Sequence, residues 1–260
     1  MRVLFIGDIV GEAGRDVVRK KLRDFKEEKK IDAVIANGEN SAGGSGVTQR
    51  IAEELFVFGV DVITSGDHIW KKRDIYEFLQ RSDRLIRPAN YPPGAPGRGN
   101  TCVEIKGKGT LGVVNLIGRV FMEELDCPFR GVTKELEEVK KKTNIIFVDM
   151  HAEATSEKVA MGWYLDGKVS AVVGTHTHIQ TADEKILPGG TAYITDCGMT
   201  GPYDSVIGRR KDLIIERFLT QLPNRFEVAQ KDVQMHGVMV DVDGSTGKAT
   251  AIKRVQVKDN

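Results

Sequence analysis

Five short apolar runs in this 260-residue chain end in side chains that hold metals or move protons. The blocks are Val3-Leu4-Phe5-Ile6-Gly7-Asp8, Ala33-Val34-Ile35-Ala36-Asn37-Gly38-Glu39-Asn40, Val62-Ile63-Thr64-Ser65-Gly66-Asp67-His68, Ile145-Ile146-Phe147-Val148-Asp149-Met150-His151 and Ala171-Val172-Val173-Gly174-Thr175-His176-Thr177-His178. Four of the five histidines lie in them. If the runs are strands of an open α/β sheet, their ends line one crevice. Asp8, Glu39, Asn40, Asp67, His68, His151, His176 and His178 are therefore expected to converge. Carboxylate, amide and imidazole ligands together suit borderline metals such as manganese, iron or zinc. On these residues alone the chain reads as a metal-dependent hydrolase.

The blocks differ in how much they say. Asp8 alone reads equally as a turn or helix cap. Gly38 lets the backbone turn sharply, so Glu39 and Asn40 can both enter a crevice; the carboxylate can bridge two cations and the amide adds no charge. Gly66-Asp67-His68 sets an acid beside an imidazole, the side chain best suited to proton transfer near neutral pH. His176 and His178 share one face of an extended segment. Joined by His151 and three strand-end acids, they are hard to obtain by chance. His236 has no acidic neighbour in sequence and reads as structural. Ser41-Ala42-Gly43-Gly44-Ser45-Gly46 lacks the Gly-Lys-Ser/Thr ending of a triphosphate loop and does not open a GxGxxG turn. It reads as a mobile rim near Glu39. Trp70 and Trp163 read as packing groups, because they lack the basic interleaving that single-stranded nucleic acid needs.

The elements that must carry these residues alternate. Strand 3–6 precedes a helix over about 14–28 with Val17, Val18, Leu22 and Phe25 at helical spacing. Strand 33–36 precedes a helix over about 48–58, capped by Thr48. Strand 60–64 leads to a helix near 74–80. Such repeats predict parallel strands with right-handed crossovers. Residues 87–99, rich in Pro and Gly, form the strongest break. Strands 101–105 and 111–116 follow as a hairpin. Then come a helix near 134–142, strand 145–150, a helix near 156–165, strands 171–173 and 192–195, and a helix near 212–219. A terminal hairpin pairs 238–242 with 249–257. Ligand candidates lie on both sides of the break, so a single domain over 1–260 is expected.

Composition excludes several classes. The net charge of +1 gives no strong field toward nucleic acid or a membrane surface. No stretch approaches the roughly 18 apolar residues of a membrane span, and Met1-Arg2 leads straight into a strand without a signal-peptide pattern. Lys140-Lys141-Lys142 and Arg209-Arg210-Lys211 read as solvated faces or turns. Cys102, Cys127 and Cys197 show neither a disulfide framework nor a zinc pair, so a reducing cytoplasm is the expected location.

The order Gly-Asp, Gly-Glu-Asn, Gly-x-His, His, then Gly-Thr-His-Thr-His resembles the calcineurin-like metallophosphoesterases. Along essentially its whole length the chain is similar to the YmdB-type phosphodiesterases of bacteria. The similarity includes Arg87-Pro88-Ala89-Asn90-Tyr91-Pro92, His151-Ala152-Glu153-Ala154-Thr155-Ser156-Glu157-Lys158 and Thr195-Asp196-Cys197-Gly198-Met199-Thr200-Gly201-Pro202. The resemblance implies a four-layer α/β/β/α sandwich with two metal ions at the strand ends. These would be divalent or mixed-valence iron or manganese, with zinc as the remaining option. It implies that Asp8 and His178 hold mainly one ion with Asn40 assisting. Position 67, His151 and His176 hold the other, Glu39 bridges, and His68 donates a proton to the leaving group. It implies hydrolysis of small phosphodiesters, notably 2′,3′-cyclic nucleotides, with nucleic acid only as a substrate. A homo-oligomer is left open.

The chemistry would follow from charge. Two cations about 3.5–4 Å apart polarise phosphoryl oxygens and lower the pKa of a water between them, which attacks in line. A 2′- or 3′-alkoxide leaves poorly, so His68 protonates it. One residue departs from the pattern: the family has Asn where this chain has Asp67. The added carboxylate is expected to lower the site's attraction for an anionic phosphodiester. Two rival readings stand beside this one. The first is a phosphomonoesterase or nuclease on the same scaffold. The second is a regulatory metal-binding protein with an impaired site, which Asp67 favours.

Overall fold

The computed structural model describes residues 1–259. It is a mixed α/β structure in which two sheets stack face to face and helices cover both outer faces. The first sheet runs in the order β2 (Asp8–Ile9), β11 (Met199–Pro202), β12 (Val233–Val242), β1 (Arg2–Ile6), β3 (Ala33–Asn37), β4 (Val62–Thr64), with β13 (Ala249–Lys258) also paired to β12. The second runs β5 (Asn100–Ile105), β6 (Gly109–Ile117), β7 (Ile146–His151), β8 (Ala171–Thr175), β10 (Ala192–Ile194), β9 (Lys185–Ile186). The expected parallel pairing holds for β1-β3-β4 and for β6-β7-β8-β10. It does not hold for β12, which lies antiparallel to β1.

Alternation along each strand builds the four layers. Val3 and Phe5 of β1 and Ala33 and Ile35 of β3 point into the core between the sheets, where they meet Val113, Phe147, Ala171 and Val173. Their neighbours Leu4, Ile6, Val34 and Ala36 face outward, onto Val17, Val18 and Leu22 of α1 (Gly11–Lys29) and Ile51 and Leu55 of α2 (Gln49–Phe58). The outer face of the second sheet, through Val114, Leu116, Ile146 and Val148, packs on α4 (Pro128–Val139) and α5 (Thr155–Leu165). Side chains on both faces of these strands are buried, which is why they read as unbroken apolar runs.

Most expected elements lie within a few residues of their observed bounds, including α3 (Ile75–Arg81) and α6 (Lys211–Thr220). Thr48 caps α2 as expected, its Oγ1 accepting from Ile51 N at 3.3 Å. The helix expected at 134–142 is shifted: α4 opens on Pro128 and ends at Val139, with Val132, Leu136 and Val139 on its buried stripe. Pro fits the first turn, where its missing N–H is not needed, and the lysine run lies past the end. The break at 87–99 carries the chain from the first sheet to the second; Arg87 braces it by donating to Pro88 O at 2.7 Å and Pro96 O at 3.2 Å. Among the described residues no helix is long and apolar enough to cross a membrane.

Candidate active site

The eight predicted side chains meet where the ends of the parallel strands of both sheets lie side by side. The expectation of a crevice in one open sheet is thus corrected to a seam between two. The first sheet brings Asp8, Glu39, Asn40, Asp67 and His68; the second brings His151, His176 and His178. Beneath the seam, Asp149 of β7 joins the sheets, accepting from Thr64 Oγ1 at 2.5 Å and Asn37 Nδ2 at 3.1 Å. Gly66 is obligatory there, because a side chain would run into His151 and Glu39.

Polar contacts set which nitrogen of each of these three histidines faces inward. Thr175 Oγ1 donates to Asp149 Oδ1 at 2.7 Å, so it accepts from His151 Nδ1 at 2.8 Å. His151 Nε2 then turns a lone pair to the cluster. Glu153 Oε2 lies 3.1 Å from His176 Nε2, leaving His176 Nδ1 to face in. Ile207 O accepts from His178 Nδ1 at 2.9 Å, leaving His178 Nε2. Such outer partners are how proteins orient histidines toward metals. The consequence is that His151 Nε2 and His176 Nδ1 stand 3.0 Å apart. Two lone pairs at that distance repel unless a cation lies between them.

Carboxylates complete the arrangement. Glu39 Oε1 is 3.3 Å and Asp67 Oδ1 3.2 Å from His151 Nε2. Ligand atoms of Glu39, Asp67, His151 and His176 all fall within 4.8 Å of one another, a cluster able to hold a metal ion. Beside it, buried Asp8 accepts His176 N at 3.1 Å through Oδ2, while its Oδ1 has no hydrogen-bond partner and lies 3.9 Å from His178 Nε2. An orphaned carboxylate oxygen facing an imidazole lone pair fits a second cation. Burial works against charge throughout. It raises Asp8 above its ordinary pKa, but at Glu39 and Asp67 it is outweighed by His151, and both are lowered. His151 itself, opposed by burial, is raised well above its ordinary value by Glu39 and Asp67, while burial and His151 push His176 down to about 4.

Asn40 and His68 sit at the edge of this cluster. Asn40 Oδ1 accepts from His68 Nδ1 at 2.7 Å, and its Nδ2 lies 3.1 Å from Glu39 Oε1 and 3.2 Å from His178 Nε2. The amide nitrogen, not the ligating oxygen, therefore faces the metal candidates. His68 Nε2 lies 3.5 Å from Asp67 Oδ2. His176 and His178 occupy left-handed backbone at φ of 99° and 66°, a conformation that persists only when surroundings enforce it. The buried pair Lys158–Asp196, at 2.8 Å, does so: Lys158 Nζ donates to Thr175 O at 2.9 Å, and Asp196 accepts from Thr177 N at 3.1 Å. A cleft of about 250 Å³ opens on the site, with Val10, Ile207 and Arg209 among its lining.

The YmdB-like protein family matches residues 4–255. The chain belongs to that family. A Bacillus subtilis (strain 168) relative named 2′,3′-cyclic-nucleotide 2′-phosphodiesterase is 51% identical over 260 residues, covering 100% of this chain and 98% of its own. A solved structure from Thermus thermophilus superposes with a TM-score of 0.94 at 44% identity, over 100% of both chains. A phosphatase structure from Mycoplasma pneumoniae gives 0.93 at 34% identity, over 100% of this chain and 94% of that one.

In this YmdB-like protein the sequence pattern missed the supporting residues Thr175, Glu153, Lys158, Asp196 and Ile207. Glu153 and Thr175 carried a faint signal as polar neighbours of His151 and His176; Lys158 and Asp196 stood in blocks similar to the family but with no role read for them, and Ile207 carried no signal. The glycine-rich segment, expected as a mobile rim, is a turn braced by Arg209, whose guanidinium donates to Gly43 O at 3.4 Å and also to Gly44 O. His236 is structural as expected, held by Tyr203 Oη at 2.6 Å and Gln234 Oε1 at 3.0 Å.

Proposed function

We propose that this protein is a metal-dependent phosphodiesterase that opens 2′,3′-cyclic nucleotides at the 2′-oxygen to leave 3′-nucleotides. The observation that carries the reading is the pair of facing lone pairs on His151 and His176 within a ring of carboxylates, a donor set that calls for a cation. The 51% identity to a 2′,3′-cyclic-nucleotide 2′-phosphodiesterase supplies the substrate. We assign Glu39, Asp67, His151 and His176 to one ion and Asp8, His178 and a shared Glu39 to a second, with Asn40 beside them. Iron or manganese suits this mixed nitrogen and oxygen set. When bound, such a pair supplies Lewis-acid activation of the phosphoryl oxygens and of the attacking water.

The chain does the rest. The outer partners Thr175, Glu153 and Ile207 keep the three imidazoles in ligating orientation. His68 lines the cleft with each ring nitrogen beside an acceptor oxygen: Asn40 Oδ1 at Nδ1 and Asp67 Oδ2 at Nε2. A proton carried on Nε2 is thus held at the site's edge, where His68 delivers it to the departing 2′-alkoxide. No Ser or Cys takes part as a nucleophile. The ligands come from both sheets, so we take residues 1–260 as one functional unit. The three cysteines are free, which agrees with a reducing cytoplasm.

Metal analysis of protein purified without added metal, paired with hydrolysis of 2′,3′-cyclic AMP, tests the reading. About two metal atoms per chain and release of 3′-AMP are expected. Preference for phosphomonoesters or for RNA would replace it with the corresponding hydrolase. Metal uptake without turnover of any phosphoester would favour a regulatory role.

A further inference from the structure

We propose that Arg209 is the residue that receives the negative charge of the phosphodiester, and that the Gly43–Gly44 turn serves to hold its guanidinium in the cleft. The inference rests on the phosphodiesterase reading and adds the substrate-binding group that reading lacks. Arg209 lines the same cleft as Glu39, His68 and His178 and, histidines aside, is its one cationic side chain among the described residues. Its guanidinium lies against the glycine turn, donating to both carbonyls. Gly43 and Gly44 have φ of 66° and 85°, and a side chain on Gly44 would run into the guanidinium. The glycine-rich run that metal chemistry leaves unexplained is thereby accounted for.

The guanidinium also lacks a counter-ion. Among the described residues no carboxylate forms a salt bridge with Arg209, although adjacent Arg210 pairs with Asp212 at 2.5 Å and Glu227 at 2.8 Å. Arg209 is half-buried, and burial lowers its pKa. A partly desolvated cation without an anion is costly, and an incoming anion relieves it. Two of its donors are spent on the turn; the rest of the five-donor fork is free for phosphate oxygens.

Charge makes the same demand. In the assignment proposed above, Asp8, Glu39 and Asp67 would bring three carboxylates to two divalent ions, and Glu153 lines the cleft. A phosphodiester anion approaching that set meets little net positive charge until Arg209 is counted. The turn that carries Arg209 also fixes a ligand, since Ile207 O holds His178 Nδ1 at 2.9 Å. Val206 and Arg209 close the turn by mutual backbone hydrogen bonds of 2.9 Å.

The test uses manganese-loaded parent, R209Q and R209K. Calorimetry reads binding of inorganic phosphate, and kinetics read 2′,3′-cyclic AMP and bis-p-nitrophenyl phosphate. R209Q should weaken phosphate binding and raise KM for both substrates roughly 10- to 100-fold, with kcat within a few-fold and metal content unchanged. R209K should recover part of the loss, because it keeps the charge without the fork. Parental phosphate affinity and KM in R209Q, even with a lower Tm, would overturn the proposal, since Arg209 would then only brace the turn. If R209Q does not fold, R209K decides: several-fold weaker phosphate binding supports the proposal and parental binding overturns it. Arg209-dependent phosphate binding in a parent that cleaves no phosphodiester would sink the function, and with it the phosphodiester as the anion, while showing that Arg209 binds phosphate.

Discussion

His68 and Asp67 are adjacent in the chain, yet substitutions at the two should separate cleanly. His68 touches Asn40 and Asp67 at the cleft, outside the ring of metal candidates. His68→Ala should keep its metal and lose roughly 100- to 10,000-fold in turnover of 2′,3′-cyclic AMP. It should lose less on bis-p-nitrophenyl phosphate, whose phenolate leaves without protonation. Equal losses on the two substrates would remove the proton-donor role. Asp67 lies 3.2 Å from His151 Nε2 and 3.5 Å from His176 Nδ1, so its charge is directed into the cluster, where the proposed ion would feel it. Asp67→Asn should raise kcat/KM for cyclic nucleotides on the order of tenfold, about 1.4 kcal/mol, without tighter metal binding. Lower activity with full metal content would show that the chain has adapted to its carboxylate. At this scale all eight side chains were legible, because a strand end followed by an acid or imidazole is a local pattern. The orientation of the Asn40 amide was not, since its two ends differ only through neighbours such as His178, far along the chain. The Glu153, Thr175 and Lys158–Asp196 contacts are likewise made by folding.

The parallel strands were visible because burial on both faces leaves no polar interruption, as in Val3 to Ile6 and Ile146 to Val148. Two-residue β2 and β9, and β11 with its Gly and Pro, offer no periodicity to read. The start of α4 was masked because charged residues dominate the part of the helix after Val132. The His176–His178 loop depends on elements in the same way. Its left-handed residues are held by Lys158 of α5 and by Asp196 beyond β10. Lys158→Met leaves Asp196 buried without its cation, which should cost about 3–5 kcal/mol of stability. It should also release the loop, so manganese affinity should fall and the visible spectrum of a cobalt-substituted protein should change. A lower Tm with parental manganese affinity and an unchanged cobalt spectrum would confine the pair to a structural role.

Across the whole molecule, the cluster ties stability to pH and metal together. In metal-free protein, His151 is raised against burial by Glu39 and Asp67. Its contribution is full below its unfolded value of about 6.5 and is lost as pH rises through the folded value. Asp149, raised by burial from 3.8 to about 7, works in the same direction, since its ionisation in the folded state is penalised over that range. Glu39 and Asp67 are lowered, so their contribution is already complete above their ordinary carboxylate range and is lost only in acid. Metal binding, by contrast, requires deprotonated ligands and strengthens with pH. The gap in Tm between manganese-loaded and chelator-treated protein should widen from about pH 5.5 to about pH 8; a gap that stays constant would speak against this cluster as the metal site. The pairing of β1 sets a different kind of limit. One edge of β1 meets β3, nearby in sequence, but the other meets β12, where Arg2 bonds Asp241 across 239 residues. Gly7 N, just ahead of Asp8, is held by His236 O at 2.9 Å. A growing chain on the ribosome, extended at roughly 5–20 residues per second, therefore carries β1 with one bare edge for on the order of ten seconds or more. Asp8 takes its final place only after residue 236 has emerged, so the nascent protein is catalytically silent until then.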